Sequence, residues 1–351
     1  ANLRSSVEWG IEKIGAAAVW AKGITGQGVV IAGQDTGYDW EHPALIKKYR
    51  GNVEAAPNHN YNWHDAIHTF SPLNLDTLGN PGVNPCGYES PEPCDDNQHG
   101  THTMGTMTGD DGMGNQIGVA PGAKWIGCRN MEEGDGTPAT YIECFQWFIA
   151  PTNSANNTPD ASKSPHVINN SWGCPSIEGC NSTNYATMNT TINNVRSAGI
   201  LVVVSAGNSG SACSTVVDPP AIYAASFSVG AVSGTAMASF SSRGPVTIDG
   251  SNRLKPDIVA PGVSTRSSVP GGGYGTKSGT SMAGPHVAGV AALLMSVDPT
   301  LKRDPARLEA LIRGTAIPDT VTAQTCGGTV SPTARSGPAS ISTRLPPCSR
   351  A

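Results

Sequence analysis

The chain has 351 residues, room for one large α/β domain or two small ones. With 38% hydrophobic and only 14% charged residues it has the composition of a compact enzyme, and a net charge of −5 without any Lys/Arg run speaks against nucleic-acid binding. No stretch approaches the roughly 18 apolar residues that span a bilayer, so no membrane partner is expected.

Along the chain, the segment GVVIAGQD, ending at Asp35, is an apolar run closed by a polar residue and a Gly turn; it predicts a buried parallel strand with function at its C-terminal end. Residues from Arg50 to Asp96 are rich in Asn, Pro, Gly and His and read as a long loop of the kind that is functional or inserted. Residues 99–108 predict a helix, VAPGAKWIGCRNM a strand, and ATYIECFQWFIA an amphipathic helix. PHVINNSWG and GILVVVSAGN are two further strands that end in polar, Gly-containing turns, and FSVGAV and PDIVAPG continue the series. SMAGPHVAGVAALLMSV is a central core helix, too short and too punctuated to cross a membrane. Strand–helix alternation implies a doubly wound parallel sheet with helices on both faces, and such sheets bind ligands at the C-terminal ends of their strands.

Several of the nine cysteines sit at short loop spacings. Cys86 and Cys94 lie in a Pro-rich loop, Cys174 and Cys180 flank PSIEG, and Cys128 and Cys144 are further disulfide candidates. Such pairs point to an oxidising compartment, with at least one thiol left over. Buried free thiols are the alternative. The start, ANLRSSVEWG, has neither the basic nor the apolar region of a leader, so either the protein is cytosolic or a leader is already removed, and the cysteines favour removal.

Three segments carry chemistry: QDTGYDWEHP around Asp35, DDNQHGTHTMGT around His99, and SGTSMAGPHVAG around Ser281. A serine hydroxyl is a poor nucleophile unless a base takes its proton, and the base needs an anion to fix its tautomer. Asp, His and Ser in that chain order form one of the known triad orders, and Ser281 precedes an apolar helix whose positive end lies beside it. Each segment alone has a plainer reading. Asp-Thr-Gly is often a turn. His99 and His102 are a candidate metal pair, but they lack the spacing of a zincin helix. His59, His64 and His68 are a candidate metal cluster in a polar segment where a solvated loop is the simpler reading, and His286 on the core helix reads as a structural hydrogen-bonding residue.

Together with SAGNSG, these segments resemble the signatures of the subtilase family of serine proteases (peptidase family S8), spelled here D-T-G, H-G-T-H and G-T-S-M-A-x-P-H. The match runs from roughly residue 20 to about 315. NQIGVAPGAKWI, NNSWG and APGVSTRSSVPG resemble the bacillopeptidase F-like branch. The resemblance implies a subtilisin-like, three-layer α/β fold and a triad of Asp35, His99 and Ser281, with Asn208 in the oxyanion hole. It implies that Ser171, Trp172 and Gly173 pair with extended substrate and form one wall of the P1 pocket. Ser209, small and uncharged after Asn208, leads to an expected broad specificity with preference for large apolar P1 residues. No cofactor is implied for the chemistry. Structural Ca²⁺ is implied at Asp110 and Asp111 and at a weaker site with Asp257, although Ala44 stands where the family has a ligand Asp.

By the same resemblance, residues 1–325 form the catalytic domain with an insertion at about 50–94, and residues 326–351 form an atypical tail lacking the family's closing G-x-G-x-[IV]-[DN]-A segment. Partners are protein and peptide substrates and the chain's own propeptide, acting as inhibitor and chaperone. A secreted, extracellular monomer is expected. An α/β-hydrolase is disfavoured by the absence of G-x-S-x-G around Ser281, a sedolisin-type enzyme by the intact HGTH, and a binding module by the retention of all three triad members.

Overall fold

The computed structural model describes residues 7–53, 56–317, Thr325–Cys326 and Thr329–Val330. Two short helices, α1 (Trp9–Lys13) and α2 (Ala16–Trp20), lead into β1 (Val30–Asp35). β2 (Trp63–Asp65) lies inside the long polar segment. Then follow α3 (His99–Thr108), β3 (Lys124–Arg129), the hairpin β4 (Met131–Glu132) and β5 (Asp135–Gly136), α4 (Pro138–Ile149), β6 (Val167–Asn170), α5 (Tyr185–Ser197) and β7 (Leu201–Ser205). β8 (Phe227–Ser233), β9 (Ala236–Met237), β10 (Ile258–Pro261), the hairpin β11 (Thr265–Val269) and β12 (Gly273–Lys277), α6 (Thr280–Val297) and α7 (Pro305–Thr315) complete the body.

The sheet runs β10-β8-β7-β6-β1-β3-β2, all parallel, with β9 antiparallel to β8. Its strands are apolar on both sides because both faces are covered. Ile31, Val167, Leu201 and Val203 point into the core made with α3 and α6, where Met104, Val287 and Ala291 sit. Their neighbours Ala32, Ile168, Val202 and Val204 point into the opposite core, with Tyr141, Phe145 and Ile192 of α4 and α5. This alternation is the period of two that any strand imposes, and it produces the three layers expected from the sequence.

α6 is long and apolar enough to cross a membrane, but 83% of it is buried inside the protein. α4 starts where it does because the Thr137 hydroxyl accepts from the Thr140 N–H while Thr140 caps the Thr137 N–H, and Pro138 fills the first helical position. The long polar segment departs from the expectation of pure loop. Trp63, His64 and Asp65 add a seventh parallel strand beside β3, too short and too polar to show as an apolar run. α5, α7 and the β11–β12 hairpin also had no counterpart in the sequence reading.

The candidate pairs close as disulfides: Cys86–Cys94, Cys128–Cys144 and Cys174–Cys180. A fourth, Cys213–Cys326, spans 113 residues and ties the start of the expected tail back to the body. Cys348 and the rest of the tail lie outside the described residues.

Candidate active site

Asp35 ends β1 and His99 begins α3, so a parallel strand and the following helix present their side chains at the same sheet edge. His99 Nδ1 lies 2.7 Å from Asp35 Oδ1. Asp35 is 1% exposed and also accepts from the Thr36 N–H at 2.8 Å and the Thr103 hydroxyl at 3.3 Å. Burial by itself lowers the His99 pKa, but the charge and hydrogen bond of Asp35 outweigh it and hold the imidazole above its ordinary value. The acceptor at Nδ1 places a proton there and leaves Nε2 as the basic nitrogen once the ring is neutral.

The approach of α3 to β1 requires Gly100. A Cβ there would sit 2.0 Å from the Gly37 carbonyl oxygen and 3.1 Å from Asp35 Cβ. Asp95 fixes the junction. Its carboxylate accepts from the N–H groups of Asn97, Gln98 and Thr101 and from the hydroxyls of Thr36 and Thr101. One carboxylate thereby joins the end of β1 to the start of α3. Asp95 was missed from the sequence; its only signal was the first Asp of DDNQHGTH, and its partners are spread from residue 36 to residue 101.

Ser281 is the second residue of α6, in the first turn, whose N–H groups have no carbonyl partner within the helix. Its hydroxyl donates to the Ser171 carbonyl at 2.9 Å, and the Ser171 hydroxyl donates to the Ser281 carbonyl at 2.8 Å. The expected Ser281–His99 hydrogen bond is therefore not made in this structure. His99 and Ser171 line one cavity of about 180 Å³, together with Thr36, Asn97, Met131, Gly134, Trp172 and Gly173. Asn208, just beyond β7, accepts from the Thr280 N–H at 2.9 Å and the Thr280 hydroxyl at 3.0 Å through Oδ1. Those two donors fix the amide so that its Nδ2 faces the start of α6.

Behind the site a chain of buried amides crosses the strand ends. Asn130 donates to Gln34, Gln34 to Asn170, and Asn170 to the Val203 carbonyl, which joins β3, β1, β6 and β7. Trp172 lies flat on Tyr141, with ring centroids 3.8 Å apart. Ser209 is exposed.

The remaining histidines resolve individually. His102 Nε2 donates to the Thr265 and Gly275 carbonyls at 3.1 Å, and burial lowers its pKa to about 3, so the ring is neutral and its Nε2 is held by the β11–β12 hairpin. His286 donates from Nδ1 to the Met282 carbonyl and is structural, as its place in the core helix suggested. His59 bonds the Tyr49 hydroxyl. His64 and His68 do not gather a metal with it; both bond Glu143 of α4, at 2.8 Å and 2.9 Å, and His68 also bonds Glu89. These contacts fasten the polar segment to the body.

Burial lowers the His68 pKa, but bonds to Glu143 and Glu89 outweigh it and the pKa is raised; burial raises Glu143, but bonds from His64 and His68 outweigh it and the pKa is lowered. A raised imidazole adds stability that is lost as pH rises through its folded value. A lowered carboxylate adds stability that is lost as pH falls through its own. The clamp is strongest between the ordinary values of 4.5 and 6.5. Thermal unfolding of Glu143→Gln should thus show a larger deficit at about pH 5.5 than at pH 8. Equal deficits at both would show that charge plays no part in the clamp.

Calcium does not suit Asp257, one of the aspartates that the resemblance singled out. Asp257 already carries the Lys255 ammonium on one oxygen and the Arg313 guanidinium on the other, with the Ser228 N–H and hydroxyl besides. Asp110 accepts from the Gly112 N–H, and Asp111 from the N–H groups of Met113 and Asn115, the Asn115 amide and the Tyr274 hydroxyl. These carboxylates cap turns. Ca²⁺ takes six to eight oxygen ligands, backbone carbonyls among them; among the described residues no three His, Cys, Asp or Glu side chains gather.

The model of the subtilase family (Peptidase S8) matches residues 26–340. The chain is 42% identical over 323 residues to Bacillopeptidase F of Bacillus subtilis (strain 168), an alignment covering 89% of this chain and 20% of that protein. It is 35% identical over 298 residues to Subtilisin E of the same strain, covering 84% of this chain and 62% of the relative. The same identity over 298 residues holds for the Subtilisin of Bacillus pumilus, of which 86% is covered. The chain therefore spans only a fifth of Bacillopeptidase F and less than two thirds of Subtilisin E. The crystal structure of a cold adapted subtilisin-like serine proteinase superposes with a TM-score of 0.60 at 27% identity, covering 89% of both chains. The chain belongs to the subtilase family (Peptidase S8).

Proposed function

We propose that this protein is a secreted serine endopeptidase in which Asp35, His99 and Ser281 act as one catalytic unit. The observation that carries the reading is the 2.7 Å contact of His99 with the buried Asp35, with Ser281 bonded to Ser171, which lines the same cavity as His99. In the reaction Ser281 Oγ gives up the Ser171 carbonyl and donates to His99 Nε2 instead. His99 takes the proton as Oγ attacks the scissile carbonyl, and Asp35 stabilises the imidazolium. The Asn208 Nδ2 and the Ser281 N–H donate to the oxyanion; in subtilisin one such side-chain donor is worth about 10²–10³ in turnover. His99 then protonates the leaving amine, and water repeats the cycle on the acyl-enzyme.

Ser171–Gly173 pairs with extended substrate. Secretion is supported by four disulfides among the described residues, which reducing compartments do not sustain. The reading makes residues 1–325 the catalytic unit and about 50–94 an insertion held by disulfide and ion pairs; a removed propeptide and a monomeric state belong to it by family. The test is a fluorophosphonate probe, with the modified peptide mapped by mass spectrometry. The adduct should sit on Ser281, and an adduct elsewhere or none at all would overturn the reading.

A further inference from the structure

The expected preference for large apolar P1 residues rests on Ser209 alone. The structure adds a residue that this expectation lacked. β6 and β7 are parallel neighbours, and their continuations, Ser171–Gly173 and Ala206–Asn208, run past the sheet side by side, with the Ser205 hydroxyl 3.4 Å from the Trp172 carbonyl. If the endopeptidase reading holds, the P1 side chain enters between Gly173 and Ser209. Asp218 lies against the open face of Gly173. A Cβ built on Gly173 would meet Asp218 Cβ at 3.3 Å and its Oδ2 at 4.0 Å. The Cys174 N–H donates to the Pro219 carbonyl at 2.7 Å, which pins the two segments together, and the Cys174–Cys180 disulfide braces the first of them.

Asp218 is half-buried, and among the described residues no hydrogen-bond donor or cation reaches its carboxylate. The neighbouring acid, Glu178, differs: its carboxylate accepts the Tyr141 hydroxyl at 2.7 Å. Burial raises the pKa of Asp218, with no countervailing partner. Covering such a group with a Phe or Leu side chain strips its remaining water and returns nothing, whereas a guanidinium or ammonium supplies both the charge and the donors it lacks. A carboxylate at the floor of the P1 pocket selects Arg and Lys in trypsin by this means. A Gly at 173 keeps the path to the carboxylate open.

We propose that Asp218 is the specificity-determining residue of the P1 pocket and that the protein cleaves after Arg and Lys. The inference rests on the endopeptidase reading. The experiment measures kcat/KM for coumarin-amide peptides identical except for Arg, Lys, Phe or Leu at P1, using the full chain and Asp218→Asn. The unaltered protein should favour Arg and Lys by about tenfold or more. Asp218→Asn should lower those two values by about 10²-fold and raise the Phe and Leu values. Benzamidine should compete with substrate in the unaltered protein and lose its effect in the variant. Equal hydrolysis of all four peptides by the unaltered protein, or an equal loss of all four in Asp218→Asn, overturns the assignment. Should no peptide be cleaved and Ser281 take no fluorophosphonate, the endopeptidase reading falls and this one with it. A labelled Ser281 without basic preference overturns Asp218 alone.

Discussion

Ser281→Ala should abolish peptide hydrolysis, with kcat falling about 10⁶-fold as it does when the nucleophile of subtilisin is removed, while thermal unfolding stays within a few degrees of the unaltered protein. The hydroxyl makes one hydrogen bond, to the Ser171 carbonyl, and its loss costs folding about 0.5–1.5 kcal/mol. The Ser171 hydroxyl still holds the Ser281 carbonyl, so α6 keeps its place. Asn208 keeps both anchors on Thr280, so the oxyanion donors survive and some rate above water remains. Substrate affinity should change little, because Oγ forms its new bond only as the carbonyl is attacked. Coupled measurement of turnover, KM and melting temperature checks all three statements. A variant that retained even one hundredth of the activity would remove Ser281 from the role of nucleophile.

The second large effect is expected at Arg129, which ends β3 and is 0% exposed. Its guanidinium bonds Asp65 at 3.1 Å, the Gly87 carbonyl at 2.8 Å, the Asn84 amide oxygen at 2.9 Å, and Asp96. Four parts of the polar segment therefore converge on one side chain three residues upstream of His99 at their nearest. Arg129→Met leaves two buried carboxylates without a cation, a change that costs about 3–5 kcal/mol. Burial already raises Asp65 and pushes Asp96 up to about 6 against the pull of Arg129, and removing Arg129 raises both further. Acids whose folded pKa exceeds the unfolded value lose stability as pH rises. The deficit in unfolding free energy should therefore grow from about pH 5 to pH 8. A deficit below 1 kcal/mol, or one that shrinks toward pH 8, would mean that the segment is held by the Cys86–Cys94 disulfide and the Glu143 clamp without need of Arg129.

Much of this architecture was legible before any coordinates. GVVIAGQD and GILVVVSAGN became β1 and β7 because an apolar run buried on both faces carries its own signature. Residues 99–108 and the Ser281 segment became α3 and α6, since their helical pattern is local. The chemical groups sat within short words of sequence next to those elements. The polar segment was opaque. β2 consists of three residues whose strand state depends on β3, more than 60 residues away.

The sequence by itself determined which side chains are available to react and which strand ends carry them, because secondary-structure propensity and the order of motifs are properties of neighbours along the chain. Only the tertiary structure decided that Asp95 locks β1 to α3, that Arg129 is the buried cation of a four-way junction, that Asp257 is neutralised by Lys255 and Arg313, and that Asp218 lies against Gly173 without a partner among the described residues. Each of these is a matter of what a charge meets when water is withdrawn. Its partners come from distant segments, and the same Asp or Arg in a linear sequence carries no mark of whether it will be paired, capped or left open for a ligand.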